Sequence, residues 1–101
     1  MPSGYVIFTI AIHDQTGFET YVQKALPTLM HAGGRPIIVD DNPEVLEGKW
    51  HGSRTVVLEF DSVDAARAWY NSAGYQAIVD ERHRAAETNV AIVSGFVLPG
   101  N

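Results

Sequence analysis

The segment RTVVLEFDSVDAARAWYNSAGY, residues 54–75, joins a strand, a capped turn and the starts of two helices in direct succession. Successive side chains of a strand point to opposite faces, so residues 54–60 predict a strand with two unlike faces. The apolar face carries Val56, Leu58 and Phe60. The mixed face carries Thr55, Val57 and Glu59. We expect the apolar face to lie against helices.

Two serines mark the helices that follow this strand. The hydroxyl of Ser62 can accept a free backbone N–H at a helix start, and Asp64 suits the positive end of the helix dipole. Ser72 can cap a third helix that begins near Tyr75 and that we expect Asn89 to close. The residues that share one face of each helix are Val63, Ala66, Trp69 and Tyr70 for the first, and Tyr75, Ile78, Val79, Arg82 and Ala86 for the second.

Residues 4–13 predict an earlier strand that is apolar on both faces. One face carries Val6, Phe8, Ile10 and Ile12, and the other carries Tyr5, Ile7, Thr9, Ala11 and His13. A sheet face exposed to water would be more polar than either of these. We therefore expect helices to cover one face and a different partner to cover the other.

An amphipathic helix follows this first strand. Residues 16–19, Thr-Gly-Phe-Glu, match a capping box in which Glu19 returns to the Thr16 amide. Pro27 predicts a kink or an early stop, because proline cannot donate the backbone hydrogen bond. Gly33-Gly34 predicts the end of the helix. Its apolar series is Phe18, Tyr21, Val22, Ala25, Leu26, Leu29 and Met30.

The remaining segments complete the order of elements. Residues 35–40 predict a short strand at a sheet edge because of Pro36, followed by a turn at 41–44 and a loop at 45–52. Residues 90–97 predict the last strand, with Ile92 and Val93 on opposite faces.

This order predicts a single α+β domain over residues 1–101, with ferredoxin-like βαββαβ topology. Its four-stranded antiparallel sheet carries helices on one face and leaves the other face bare. Ile7, Ala11, Val57 and Val93 make the bare face too apolar for a monomer in water. We expect a second copy of the chain to cover it, which gives a homodimeric α/β barrel.

Composition excludes several classes of function. The chain has 101 residues, 46% of them hydrophobic, a net charge of −5 and no cysteine. Nucleic-acid binding needs a cationic patch, and no basic cluster is present. The sequence shows neither a signal peptide nor an apolar run long enough for a membrane span, so we expect a soluble cytoplasmic protein.

Several short motifs occur together at a characteristic spacing. They are Gly33-Gly34-Arg35, Val45-Leu46-Glu47-Gly48 with Trp50, Arg54, Glu59-Phe60, Ser62, Ala68-Trp69-Tyr70, Ser72, Tyr75-Gln76 and Arg82. In this combination the chain, from about Tyr5 to Phe96, resembles the domain of unknown function 1330 family. The resemblance implies a ferredoxin-like dimeric α/β barrel and no particular activity. The sequence departs from the family pattern at Lys49 and His51-Gly52.

Glu59 is the leading candidate for chemistry. In a partly dry space between two sheets its pKa would rise by desolvation, which suits a general acid or base. The alternative is an ion pair with Arg54 or Arg35, since buried charges are usually paired. Arg35 and Arg54 begin two neighbouring strands, where they would bind a carboxylate or pair with Glu47, Glu59 or Asp40 inside the protein.

Histidines and aromatic residues supply the other candidates. No two of His13, His31, His51 and His83 have a metal-ligand spacing, so we predict no metal or other cofactor. His13 is the one expected near a pocket, where it would assist Glu59 in proton transfer. Trp50, Tyr70 and Tyr75 would line a pocket for a flat ligand, whereas Trp69 has the register of a core residue.

The sequence leaves three hypotheses of function. The first is a dimer that binds a small organic acid or aromatic metabolite in a pocket on the sheet face, with acid/base chemistry at Glu59. The second is a non-catalytic dimeric module whose Arg, Glu and Tyr side chains only stabilise the fold. The third is a haem-dependent barrel, which added haemin would reveal by colour.

Overall fold

The computed structural model describes residues 2–100, which form an antiparallel four-stranded sheet with four helices on one face. The elements are β1 (Gly4–Ile12), α1 (Gln15–His31), β2 (Arg35–Asp40), β3 (Arg54–Phe60), α2 (Val63–Tyr70), α3 (Ala73–Gln76), α4 (Val79–Ala85) and β4 (Ala86–Ser94). The strand order is β2-β3-β1-β4. This confirms the predicted ferredoxin-like α+β fold.

The core lies between the sheet and the helices. Val6, Phe8 and Ile10 of β1 and Leu58 and Phe60 of β3 are buried on the helix-covered face, as their alternation predicts. In the register of the sheet Val6 lies opposite Leu58, and Ile7 opposite Val57 on the open face. Trp69 and Tyr75 add aromatic rings to the core, with ring centroids 4.2 Å apart.

The predicted capping box at the start of α1 is wrong. The N-cap is Asp14, whose carboxylate accepts a hydrogen bond from the Gly17 amide at 3.0 Å. Thr16 already lies inside the helix, so it cannot cap it. Asp14 competes successfully because a carboxylate is among the strongest N-caps and also faces the positive end of the helix dipole.

Pro27 does not stop α1, which continues to His31. The helix ends as predicted at the glycine pair. Gly33 has a φ of +78°, and the Gly34 amide donates to the Leu29 carbonyl at 3.0 Å. A residue in the left-handed conformation lets the following amides donate hydrogen bonds to the last carbonyl groups of the helix.

The third predicted helix is divided, and its predicted end is wrong. Ser72 caps α3 through the Tyr75 amide, but the helix breaks after Gln76 and resumes as α4 at Val79. Asn89 closes no helix, because β4 begins at Ala86 and Asn89 pairs with Thr9 of β1. Because β4 pairs with β1 along the whole length of β1, it begins at Ala86 rather than at the predicted Val90.

β2 lies at the sheet edge, as Pro36 predicts, and a bulge between Pro36 and Ile38 shifts its register with β3. The loop before β3 returns to the sheet, where the Ser53 amide donates to the Ile10 carbonyl at 3.1 Å. Gly52 has a φ of +72° directly against that carbonyl, so no other residue fits without strain. No helix within residues 2–100 is long and apolar enough to cross a membrane.

Candidate functional site

A cavity of about 170 Å³ lies between α1 and the sheet. It exists because α1 packs mainly on α4, whereas α2 lies directly on β1, β3 and β4. Its walls are almost entirely apolar and include Phe8, Ile10, Phe18, Leu29, Val56 and Trp69. The lining residues Leu26 and Val39 are 43% and 61% exposed, so the opening lies between α1 and the edge strand β2.

Three polar side chains form a buried cluster beside this cavity. Arg82 of α4 lines the cavity and is only 2% exposed, and its Nε donates to the Tyr75 hydroxyl at 3.3 Å. The hydroxyls of Tyr75 and Tyr21 lie 2.5 Å apart, and Tyr21 also lines the cavity. The guanidinium carbon of Arg82 lies 5.7 Å from the ring centre of Phe8 and 5.9 Å from that of Tyr21. We call these three side chains the Arg82 cluster.

Burial and mutual contact shift the pKa values of this cluster. Burial raises the pKa of the Tyr21 hydroxyl far above its ordinary value, and the neighbouring Tyr75 raises it further. Burial acts to lower the pKa of Arg82, but Tyr75, Tyr21 and Tyr70 outweigh it, and the net shift is upward. The cluster therefore holds a permanent cation beside a phenol that stays protonated.

Arg54 belongs to the cavity, but Arg35 does not. Arg54 lines the cavity with its guanidinium carbon 5.4 Å from the ring centre of Phe18, and it pairs with Asp41. Arg35 lies opposite Glu59 at the far end of β3. The predicted clamp of both arginines on one carboxylate is wrong, because the starts of antiparallel neighbours lie at opposite ends of the sheet.

Glu59 lies on the open face of the sheet. Its Oε2 accepts a hydrogen bond from the Tyr5 hydroxyl at 2.8 Å, and its Oε1 lies 2.7 Å from a terminal nitrogen of Arg35. The hydrogen bond from Tyr5 lowers the pKa of Glu59, burial opposes this, and Arg35 lowers it further. The pKa expected to rise is thus lowered, because a donor and a cation together outweigh desolvation.

His13 and Glu59 are not neighbours within the chain. Glu59 pairs with Tyr5 near the start of β1, whereas His13 follows the end of that strand in an exposed turn. The eight residue steps between Tyr5 and His13 correspond to roughly 27 Å of extended strand. The expectation that both residues serve one pocket is therefore wrong within a single chain.

The remaining aromatic candidates divide among three environments. Tyr75 is fully buried in the Arg82 cluster, and Tyr70 lies behind it with a centroid separation of 5.5 Å. Trp50 is half exposed, and its indole donates to the Thr55 hydroxyl at 2.8 Å. Trp69 is a core residue that also lines the cavity. Residues 2–100 contain no group of three or more metal-ligating side chains close enough to hold an ion.

Sequence reasoning missed Arg82 and Tyr21 as site residues. The signal for Arg82 was present, because an arginine at a buried position of an amphipathic helix needs a partner within the core. Tyr21 gave no such signal, since a tyrosine in an apolar helix series is most often a packing residue.

The fold and site define a ferredoxin-like α+β protein with an apolar cavity under its first helix. Residues 3–96 match the model of the domain of unknown function DUF1330, and the chain belongs to that family. A search of curated proteins finds no match to the sequence.

Solved structures share the fold at low sequence identity. RPA0582, a protein of unknown function from Rhodopseudomonas palustris, has a TM-score of 0.77 at 14% identity, over 96% of this chain and 85% of its own. SnoaB, a cofactor-independent oxygenase from Streptomyces nogalater, has a TM-score of 0.71 at 10% identity over the whole of both chains. HapK from Hahella chejuensis has a TM-score of 0.62 at 20% identity, over 97% of this chain and 95% of its own.

Proposed function

We propose that this protein is a homodimer whose subunits each bind a small aromatic organic acid in the cavity between α1 and the sheet. The cavity itself carries the proposal. It is close in size to the cavity of about 150 Å³ that binds benzene in an engineered protein core. A single aromatic ring therefore fits between the apolar walls.

The residues around the cavity support this class of ligand. Phe8, Phe18 and Trp69 supply aromatic surfaces, and Arg54 stands as a cation beside the ring of Phe18. Binding sites of small molecules commonly combine an apolar wall with a few convergent polar groups. In this proposal Tyr75 fixes the inner end of the site through Arg82, and Tyr70 supports Tyr75 from behind.

The experiment is an NMR titration of the two indole N–H groups with benzamide and, separately, benzoate. We expect the Trp69 resonance to shift saturably with at least one probe, because Trp69 lines the cavity. The resonance of Trp50 should stay in place, because Trp50 lies outside it. The absence of any saturable shift at Trp69 with both probes would contradict the proposed cavity function.

A matched pair of variants locates the probe. Ala25 lines the cavity, so Ala25→Phe should fill it and abolish the Trp69 shift. Ala68 lies exposed on α2 outside the cavity, so Ala68→Phe should leave the shift unchanged. Binding that survives Ala25→Phe would place the probe elsewhere.

A second candidate is a dimer without catalytic activity, in which the polar groups of the open face only stabilise the sheet. The observation that favours it is the connection of three adjacent strands by Tyr5, Glu59 and Arg35. Acid/base chemistry at Glu59 would need a ligand on this open face, with His13 supplied from the partner subunit. Loss of a measured turnover in Glu59→Gln with the fold retained would favour chemistry over the structural role.

A further inference from the structure

We infer that Arg82 is the anion-binding residue of the cavity, and that the ligand enters with a carboxylate directed toward α4. This rests on the proposed function and names the chemical class that the cavity selects. Neither Arg82 nor Tyr21 is among the site residues that the sequence predicts.

The charge of Arg82 is buried and permanent. Among residues 2–100, Arg82 is the one charged residue that is buried. A guanidinium does not lose its proton in proteins. A buried charge is costly unless a partner of opposite sign and further hydrogen bonds satisfy it. The structure shows one such bond, from Nε to Tyr75.

Within residues 2–100 no carboxylate lies within ion-pair distance of Arg82. The two acidic residues of its own helix are engaged elsewhere. Glu81 lies 3.0 Å from Lys24 of α1, and Asp80 lies 3.5 Å from His83. Arg54, by contrast, already has Asp41. Of the two arginines at the cavity, only Arg82 therefore lacks an anionic partner in the described part of the chain.

The two tyrosines provide an independent observation. Tyr75 accepts a hydrogen bond from Arg82, and the Tyr75 and Tyr21 hydroxyls share one further hydrogen bond. Two hydroxyls carry two protons, and this shared bond uses only one of them, whichever oxygen donates. The other proton has no acceptor among the hydrogen bonds of residues 2–100. A free O–H beside an unpaired guanidinium is suited to the two oxygens of a carboxylate.

The experiment compares benzoate with benzamide, which have almost the same shape and differ in charge. We expect the wild-type protein to bind benzoate at least about tenfold more tightly, which corresponds to about 1.4 kcal/mol. In Arg82→Met the ratio should fall to about one. Arg35→Met removes an arginine from the opposite face of the sheet and should leave the ratio unchanged.

Equal affinity of the wild-type protein for both probes would overturn this inference and leave the cavity proposal standing. Failure of both probes to bind would instead contradict the cavity proposal. Should Arg82→Met not fold, the Nε–H resonance of Arg82 in the wild-type protein decides. It should shift on addition of benzoate and much less with benzamide, and an equal response to both would overturn the inference.

Discussion

Glu59 owes its properties to two neighbours on adjacent strands. Tyr5 of β1 and Arg35 of β2 approach its carboxylate from either side, while about a fifth of the side chain remains exposed. A strand sequence ending in Leu-Glu-Phe shows that a carboxylate lies on the mixed face. Which arginine reaches it depends on the antiparallel register of β2 and β3, which the local sequence does not contain.

We expect Glu59→Gln to lower the melting temperature by a few degrees at pH 7, and by less in acid. The lowered pKa of Glu59 means that its stabilisation is fully present above about pH 4.3, the value of an unfolded glutamate. This stabilisation is lost as the pH falls through the lower pKa of the folded state. Thermal unfolding between pH 2 and pH 7 measures the difference.

Glu87→Gln is the matched control for this change. Glu87 lies exposed on β4, on the same open face of the sheet as Glu59. Its side chain forms no ion pair with the described residues. Its replacement should change the melting temperature little at any pH. A constant difference between Glu59→Gln and wild type from pH 7 down to pH 2 would show that ionisation of Glu59 does not stabilise the fold.

The start of α1 shows which of two candidate N-cap residues the structure uses. Two side chains near the start of α1, Asp14 and Thr16, have the chemistry of an N-cap, and the structure selects Asp14. The amides of His13 and Asp14 both donate to the Ala85 carbonyl at 3.0 Å, which fixes this turn at the end of α4. The helix therefore starts where a tertiary contact holds the chain.

We expect Asp14→Ala to lower the free energy of unfolding by about 1 kcal/mol, because the Gly17 amide loses its acceptor. Thr16→Ala should change the free energy by less than about 0.5 kcal/mol, since exposed side chains away from special contacts contribute little. Urea denaturation of the two variants and the wild type measures both values. A larger loss in Thr16→Ala than in Asp14→Ala would restore the capping box.

At the scale of the whole molecule, the sheet has one face without helices. Ile7 and Val57 lie at its centre, and Ile38 and Val93 flank them on the outer strands. The four strands average about eight residues, so this face measures roughly 20 by 27 Å, or about 540 Å², which is less than the ~800 Å² per partner of a standard interface. Phe96, Val97 and Leu98, which follow β4, are further exposed apolar side chains.

We expect Val57→Lys to convert the proposed dimer into a monomer, because the ammonium would be buried at the centre of the interface. Light scattering coupled to size-exclusion chromatography should give twice the 11.1-kDa chain mass for the wild type and the single mass for the variant. Met30→Lys places the same charge on an exposed position of α1 and should remain dimeric. A monomeric wild type would contradict the covered open face.

Alternation of side chains made β1 and β3 predictable, since a strand with one buried face has period two whatever surrounds it. The serine caps of α2 and α3, the glycine end of α1 and the edge position of β2 were also predictable. Each depends on the chemistry of a few adjacent residues. The βαββαβ order follows from those elements, and with it the topology of the sheet.

Contacts between distant residues settled the rest. The early start of β4 comes from pairing with β1, and the separation of Arg35 from Arg54 comes from the antiparallel register. The cavity exists because α1 packs on α4 above the sheet, and only that packing brings Tyr21 to Tyr75, 54 positions away. A local sequence pattern encodes which face of an element is apolar, whereas the partner of a buried charge is fixed by three-dimensional packing.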